Sequence, residues 1–500
     1  MSPHYRLRGG TRAAFTRRVP LIAVTAVITT TLLTTAVHPS DLANRKADPK
    51  AYSTEVAPGA PNETYAEAKT RGADLSAFGP DFDPATGRLA FPVASSPPCL
   101  RPFTGSNGGP TGQGVTADEI VVARYLPPPT DVISALAPAV ISPSDTERTI
   151  QAFIELLADV FETYGRHLRV VNVAASGREN DPEAATADAV KVAAEIGAFA
   201  SVGGPKLTTS YARELARRGV ICIGCALVLP DDRIQENAPM LWNTEPTPDQ
   251  YLRFAFTLAD RLSGKPASLS TDAAMRKRTR RFGVIHIELS PPVFEGVAAD
   301  YKRNASRFGL GPKLPVSSYL LDLSDLSTLA PQARTAISRM KNEGVTTIIF
   351  LGDPIVPSML ASAATQAKYF PEWITTGTLF VDTTSAARRI DQRQWSASIG
   401  VSFRPMPADP TNRGWNRVFE WYYGQAPPDP RVASEMSPLL LIFLGIHLAG
   451  PDLTPASFRD GLFRAPPTIS SPTEPKVSFG DNKIVRAVDG TPRVDFGTVD

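Results

Sequence analysis

From Glu119 to Thr375 the chain alternates short apolar runs with stretches of helical periodicity, and the alternation runs twice. Glu119–Tyr125 (EIVVARY) reads as a strand. Thr146–Tyr164 then sets Ile150, Phe153, Ile154, Leu157, Val160 and Phe161 on one helical face. Leu168–Val173, Phe199–Val202 and Val220–Gly224 (VICIG) read as further strands, with helices from Asp181 or Pro182 and over Ser210–Arg218 between them. The second series has helix Pro248–Leu262, strand Phe282–Ile287, helix Phe294–Phe308 and a weaker strand VSSYLLD. Helix Leu326–Asn342, strand Val345–Leu351, helix Ser358–Lys368 and strand Glu372–Thr375 complete it. Strands separated by helices make βαβ units, and βαβ units make parallel sheets covered by helices. The fold class is therefore α/β, with two doubly wound, Rossmann-like halves. Pro438–Leu448 is apolar but shorter than the roughly 20 residues a bilayer needs, so it reads as a buried helix.

What precedes the alternation gives an address. The first eighteen residues hold Arg6, Arg8, Arg12, Arg17 and Arg18 and no acid, and Val19–Val37 carries no charge. A basic start followed by an apolar stretch is an export pattern. Residues 1–37 read as either a signal peptide, with Ala36 at a passable cleavage site, or a membrane anchor. The chain is thus expected outside the cytoplasm, tied to the membrane through residues 19–37 if the segment stays on. Residues 38–113 are rich in Pro, Gly and Ser and lack periodicity, and read as a tether. Outside the membrane there is no ATP pool, which favours binding chemistry over energy-driven chemistry.

Composition narrows the partners. Apolar residues form 42% of 500 residues, enough for two real cores, and a net charge of +2 argues against nucleic acid. The one dense basic run, Arg276–Arg281 (RKRTRR), reads as a solvated linker before a strand. Cys222 and Cys225 form CIGC. In a strand their Cα atoms would stand about 10 Å apart, while a disulfide needs about 7 Å or less. Pairing therefore requires a turn at Ile223-Gly224. Three readings stay open: small buried residues at a strand end, a structural disulfide, for which Cys99 is an available partner, and a redox pair.

Gly203–Ser210 (GGPKLTTS) lies between a strand and a helix. Its backbone N–H groups and the hydroxyls of Thr208 and Thr209 suit a polar or anionic ligand group, and they equally suit a helix cap. It is not a P-loop, because no Gly-Lys-Ser/Thr follows. His286 sits in a strand, and no GxSxG, HExxH or paired-carboxylate signature stands out. No catalytic residue, metal site or cofactor is expected, and the chain does not read as an enzyme.

Four stretches together resemble one family. They are GVTADEIVVARYLP, ASVGGPKLTTSYARELARRGVICIG, FGVIHIELSPPVFEGVAADYKRNASRFG and ISRMKNEGVTTIIFLGDPIVPSMLASAATQAKYFPEWITTG. In order and spacing they resemble the type I periplasmic solute-binding proteins of ABC transporters, of the leucine/isoleucine/valine- and amide-binding kind, over about residues 114–490. The resemblance implies two lobes joined by three crossings, near Thr244–Pro248, Thr376–Phe380 and Ser434–Pro438, with ligand in the cleft between them. It implies lobe 1 from 114–245 plus 380–436 and lobe 2 from 246–379 plus 437–500. It implies that the turn carrying Lys206, Thr208 and Thr209 holds the ligand, with Cys225 and Ala226 as a more apolar second turn. In lobe 2 it implies Phe294 as a cover, Glu295 at the same helix start, Asp353 as the nearest acid and Thr378 beside the second crossing. The implied partners are a small polar solute (an amino acid, amide or related molecule), an ABC permease and the membrane. Two departures, Gly224-Cys225-Ala226 in place of a hydroxyl turn and no acid at the usual position, set the chain apart from standard amino-acid binders. They keep open a tethered signalling or structural ectodomain of the same fold. An exported thiol enzyme using Cys222 and Cys225 is the remaining alternative.

Overall fold

Two five-stranded parallel sheets account for the double alternation. A computed structural model describes residues 62–78, 82–91, 96–128, 143–225, 229–289, 294–322, 325–403, 414–432, 436–468, 477–480 and 495–499. The side chains of 143, 295, 385 and 495–499 fall outside this description. Residues 1–37, expected to be the signal or anchor, and Ala226 lie outside the described residues.

The first sheet contains β1 (Glu119–Leu126), β2 (His167–Ala174), β3 (Ala200–Val202), β4 (Ile221–Ile223) and β5 (Leu241–Trp242). Their order is β2-β1-β3-β4-β5, every pair parallel. The second contains β6 (Phe282–Glu288), β7 (Val316–Leu320), β8 (Thr347–Leu351), β9 (Glu372–Thr375) and β10 (Ser398–Gly400), in the order β7-β6-β8-β9-β10 and again all parallel. The inner strands are continuous apolar runs because helices cover both faces. Phe282 to Ile287 of β6 are all buried, as are all five residues of β8. In each sheet the strand order switches sides after the second strand, so the switch point lies between β1 and β3 and between β6 and β8, beyond whose carboxyl ends such folds bind ligands.

The helices begin where local chemistry supplies caps. Helix α1 spans Pro143–Val160. Helix α2 (Pro182–Lys191) starts at Asp181, whose carboxylate accepts from the N–H groups of Glu183 and Ala184. Helix α3 spans Ser210–Arg217. Helix α4 (Pro248–Leu262) has a capping box of Thr247 and Gln250 with Pro248 at its first position. Helices α5 (Phe294–Asn304), α6 (Leu329–Asn342) and α7 (Val356–Gln366) serve the second sheet, and α8 (Gly414–Tyr423), α9 (Ser437–Ala449) and α10 (Pro455–Arg464) follow.

Two cores decide which segment belongs where. Ile120, Phe153, Leu157, Ile221 and Trp242 pack with Phe419 of α8, Ile442 and Phe443 of α9, and Phe458 of α10. Phe256, Val284, Ile348 and Trp373 pack with Trp395, Ile399 and Phe403. The implied division of the chain is therefore corrected. Segment 380–403 stays in lobe 2, because β10 extends the second sheet through Ile374↔Ile399. Segment 437–480 belongs to lobe 1, because α9 is apolar nearly all round and is buried against the first sheet. The chain enters lobe 2 at 243–247 and has returned by Gly414. The expected crossings at Thr376–Phe380 and Ser434–Pro438 lie within lobe 2 and lobe 1 respectively, and no third crossing occurs among the described residues.

The tether reading of 38–113 is also corrected for its described part. Tyr65, Phe78 and Cys99 form a small core with Phe82. The buried Arg88 donates to the carbonyl oxygens of Ser96 (2.6 Å), Pro466 (3.1 Å) and Pro467 (2.7 Å). Arg166 donates to the carbonyls of Pro451, Thr116, Asn107 and Gly109. His447 Nδ1 accepts the Glu162 N–H (2.8 Å), so its Nε2 donates to the Pro98 carbonyl (2.9 Å). Several partners of this segment, Pro466, Pro467 and His447, lie more than 300 positions later, which is why local composition read as a tether.

The basic run is likewise only partly solvated. Arg280 is buried and pairs bidentately with buried Glu372 at 2.7 and 2.9 Å. Glu372 also accepts from Thr347 Oγ1 and the Leu269 N–H, both at 2.8 Å. No helix among the described residues is long and apolar enough to cross a membrane.

Candidate functional site

On lobe 1 the turn after β3 and the turn after β4 form one wall at the carboxyl edge of the sheet. Gly203 has φ +73° and its N–H donates to the Ile223 carbonyl at 3.0 Å. A Cβ on Gly204 would stand 2.4 Å from the Cys225 carbonyl oxygen, so the two turns touch through bare backbone. The loop then turns on Glu179, a buried acid from the β2–α2 connection. Its side chain accepts the Lys206 N–H, and its carbonyl accepts the Leu207 N–H at 3.2 Å. Lys206 Nζ reaches back to the Gly224 carbonyl at 3.2 Å.

The two hydroxyls differ in their bonding. Thr208 is buried. Its Oγ1 accepts the Ser210 N–H and donates to Ser210 Oγ, both at 3.3 Å, at the start of α3. Thr209 is the half-buried N-cap residue; its side chain makes no capping bond. Cys222 and Cys225 are bonded to each other with Cα atoms 5.7 Å apart. The strand ends at Ile223 and Gly224 takes φ +62°, the turn that the pairing requires. Cys99 is free and buried, and burial pushes its thiol up to about 12.

Behind this wall lies a buried polar set that the sequence pattern did not single out. Tyr125 donates to Asp188 Oδ2 at 3.2 Å, and the Ser176 N–H donates to the same oxygen at 3.0 Å. Tyr125 and Tyr211 pack with centroids 4.9 Å apart and rings tilted by 55°, and Ser201 Oγ lies 2.8 Å from the Tyr211 hydroxyl. Burial, and then the charge of Asp188, pushes the Tyr125 hydroxyl well above the ordinary tyrosine range, so it stays a donor. Glu179 was missed because SGREN looks like any polar loop. Only the return of the Gly203–Thr209 turn brings it inside.

On lobe 2, Phe294, Asp353 and Thr378 follow the carboxyl ends of β6, β8 and β9, so they share one edge of the second sheet. Each also serves its own lobe. Phe294 is fully buried in the lobe 2 core, and its N–H donates to Glu288 Oε1 at 3.0 Å. Asp353 is fully buried. It accepts from the Tyr319 hydroxyl (2.6 Å) and from the N–H groups of Ile355 (2.7 Å) and Val356 (3.1 Å), where α7 begins. Burial raises its pKa against these donors. Thr378 Oγ1 lies 2.6 Å from Thr376 Oγ1, which donates to the Phe350 carbonyl at 3.1 Å. Glu295 is the second residue of α5. Just beyond, Leu379 and Phe380 both take positive φ, +48° and +70°, a strained pair at the strand end.

The lobes also touch. Leu207, carried on the lobe 1 turn, is buried in the core of lobe 2. Beside the first crossing, Thr247 Oγ1 donates to Asp231 and the Asp231 N–H donates to Asp249 Oδ2 at 2.9 Å. Among the described residues no group of His, Cys, Asp and Glu could hold a metal ion.

No protein-family model matches the chain, and no curated protein matches it. Solved structures do. The two doubly wound parallel sheets and their strand order give the chain the type I periplasmic binding protein fold. The substrate-binding protein of an ABC transporter from Aeropyrum pernix matches with a TM-score of 0.52 and 12% identity, over 72% of this chain and 88% of that one. A solute-binding protein from Rhodopseudomonas palustris HaA2, solved with p-hydroxybenzoic acid, matches with a TM-score of 0.49 and 14% identity, over 72% and 89%.

Proposed function

We propose that the protein is an extracytoplasmic solute-binding protein that closes two lobes on a small polar molecule and presents it to an ABC permease. The observation that carries this reading is Leu207, which the lobe 1 turn buries in the core of lobe 2. That turn follows the carboxyl end of β3, and in lobe 2 Asp353 and Thr376 follow the carboxyl ends of β8 and β9. Closure of hinged lobes excludes water, and affinity then comes from a few placed polar groups. The ligand-facing group favoured here is Lys206, whose ammonium has one backbone acceptor in the wall and capacity for two more bonds. The basic start and apolar stretch of residues 1–37 support export.

A second reading has its own support. Thr208, Asp353 and Thr378 are occupied by bonds within their own lobes, and Phe294 is core. A tethered ectodomain that kept the fold and lost its ligand would look the same at these positions. The thiol-enzyme reading lacks support, since Cys222 and Cys225 are disulfide-bonded and buried.

Calorimetric titration of the full chain with amino acids, amides, urea, aromatic acids, sugars and polyamines separates the two. The solute-binding reading expects heat from one chemical class and its loss in Lys206→Ala. No heat from any class would favour the ectodomain.

A further inference from the structure

We propose that the Cys222–Cys225 disulfide is the positioning element of the crevice, coupling the Gly203–Thr209 turn to the first interlobe crossing. The proposal rests on the reading of that turn as the crevice wall. The bond spans two residues, and one of them, Gly224, touches every part of the coupling. Its carbonyl accepts Lys206 Nζ at 3.2 Å, and its N–H donates to the Trp242 carbonyl at 2.9 Å, one residue before the crossing begins. A Cβ on Gly224 would stand 3.2 Å from Thr244 Oγ1 in the crossing and 3.6 Å from Pro438 Cγ at the start of α9. Its φ of +62° is left-handed, and the disulfide closes the loop around it. On the other side, the Cys225 carbonyl packs on Gly204 of the wall. One closed ring therefore sets the height of the Lys206 acceptor, the seat of Gly204 and the point where the chain leaves lobe 1. Both sulfurs are buried, which fits a fixed element.

Backbone hydrogen exchange on the full oxidised chain tests this without any ligand. In C222A/C225A the amides of Lys206 and Leu207, and those of 243–247, should exchange at least tenfold faster, while the β8 amides of Thr347–Leu351 stay within twofold. Lys206→Met should speed exchange at the turn and make the double cysteine change add nothing further there. An unchanged turn would overturn the proposal. So would an equal acceleration in β8, which marks a general staple. If the double variant fails to fold, Gly224→Ala with the disulfide intact gives the second reading. It should loosen both the turn and the crossing, and an effect on neither overturns the coupling. Solute titration keeps the two claims apart. A turn that loosens in a protein no solute binds removes the crevice reading and keeps the coupling. Solute binding beside an unresponsive turn does the reverse.

Discussion

The two lobes share a strand order and differ in how they are held. Lobe 2 is one continuous stretch, 248–403, and its buried Arg280 is met by another charge, Glu372. Lobe 1 is assembled from distant pieces: the N-terminal segment from 62, the sheet of 119–242, and helices α8 to α10. Its buried arginines, Arg88 and Arg166, are met by backbone carbonyls that those remote pieces supply. Arg280 and Glu372 lie 92 positions apart inside one stretch. Carbonyls hundreds of residues away require the ends of the chain to dock first, and such loop closure is slow. Lobe 1 should therefore depend on its ends, and lobe 2 on its internal ion pair.

The largest effect should fall on lobe 2. Arg280→Ala strands Glu372 in the core and should cost about 3–5 kcal/mol. Exchange of the β6 and β8 amides should rise steeply, with β1 protected. Equal loss in both lobes would break the contrast.

The next effect belongs to lobe 1 and to pH. Burial, with Arg464 nearby, lowers the His447 pKa from its ordinary 6.5 to about 4. The unfolded chain then takes up the proton first as pH falls. The neutral histidine stabilises the fold fully above pH 6.5, and that contribution declines until pH passes about 4, about 3 kcal/mol in all. Urea unfolding of lobe 1 at pH 7 and pH 4 should show this fall, and His447→Gln should remove it. A slope unchanged in the variant would place the sensitivity elsewhere.

Arg88→Met should cost lobe 1 about 2 kcal/mol, because the carbonyls of Ser96, Pro466 and Pro467 lose a charged donor. Limited proteolysis should then release the segment before Val115 while lobe 2 stays intact. Smaller again, Asp353→Asn should cost about 1–2 kcal/mol by weakening the start of α7 and leave any solute affinity unchanged. Thr208→Val should cost about 1 kcal/mol or less, a cap's worth, read as a small fall in melting temperature.

How much of this was legible follows the range of the interactions. β1, β6, β8 and α4 could be read because their burial pattern or capping box lies within a few residues, as in Phe282–Ile287 or Thr247-Gln250. The turn at Gly224 could be read as a condition for the disulfide, though not as a fact. The assignment of 380–403 and 437–480 could not be read, since the pairing of Ser398–Gly400 with β9 and the burial of α9 on the first sheet are tertiary choices. Asp353 and Phe294 could be read as following strands, yet Tyr319 and the core determine what they do there. Glu179 was invisible because its partner, the Lys206 N–H, lies 27 positions away.

The most direct measurement is hydrogen exchange on the full chain with and without a pooled panel of amino acids, amides and aromatic acids. A solute-binding crevice predicts new protection on both walls at once, at Gly203–Leu207 in lobe 1 and at 353–356 and 376–378 in lobe 2. Protection on neither wall, or on one alone, would contradict closure of the lobes on a solute.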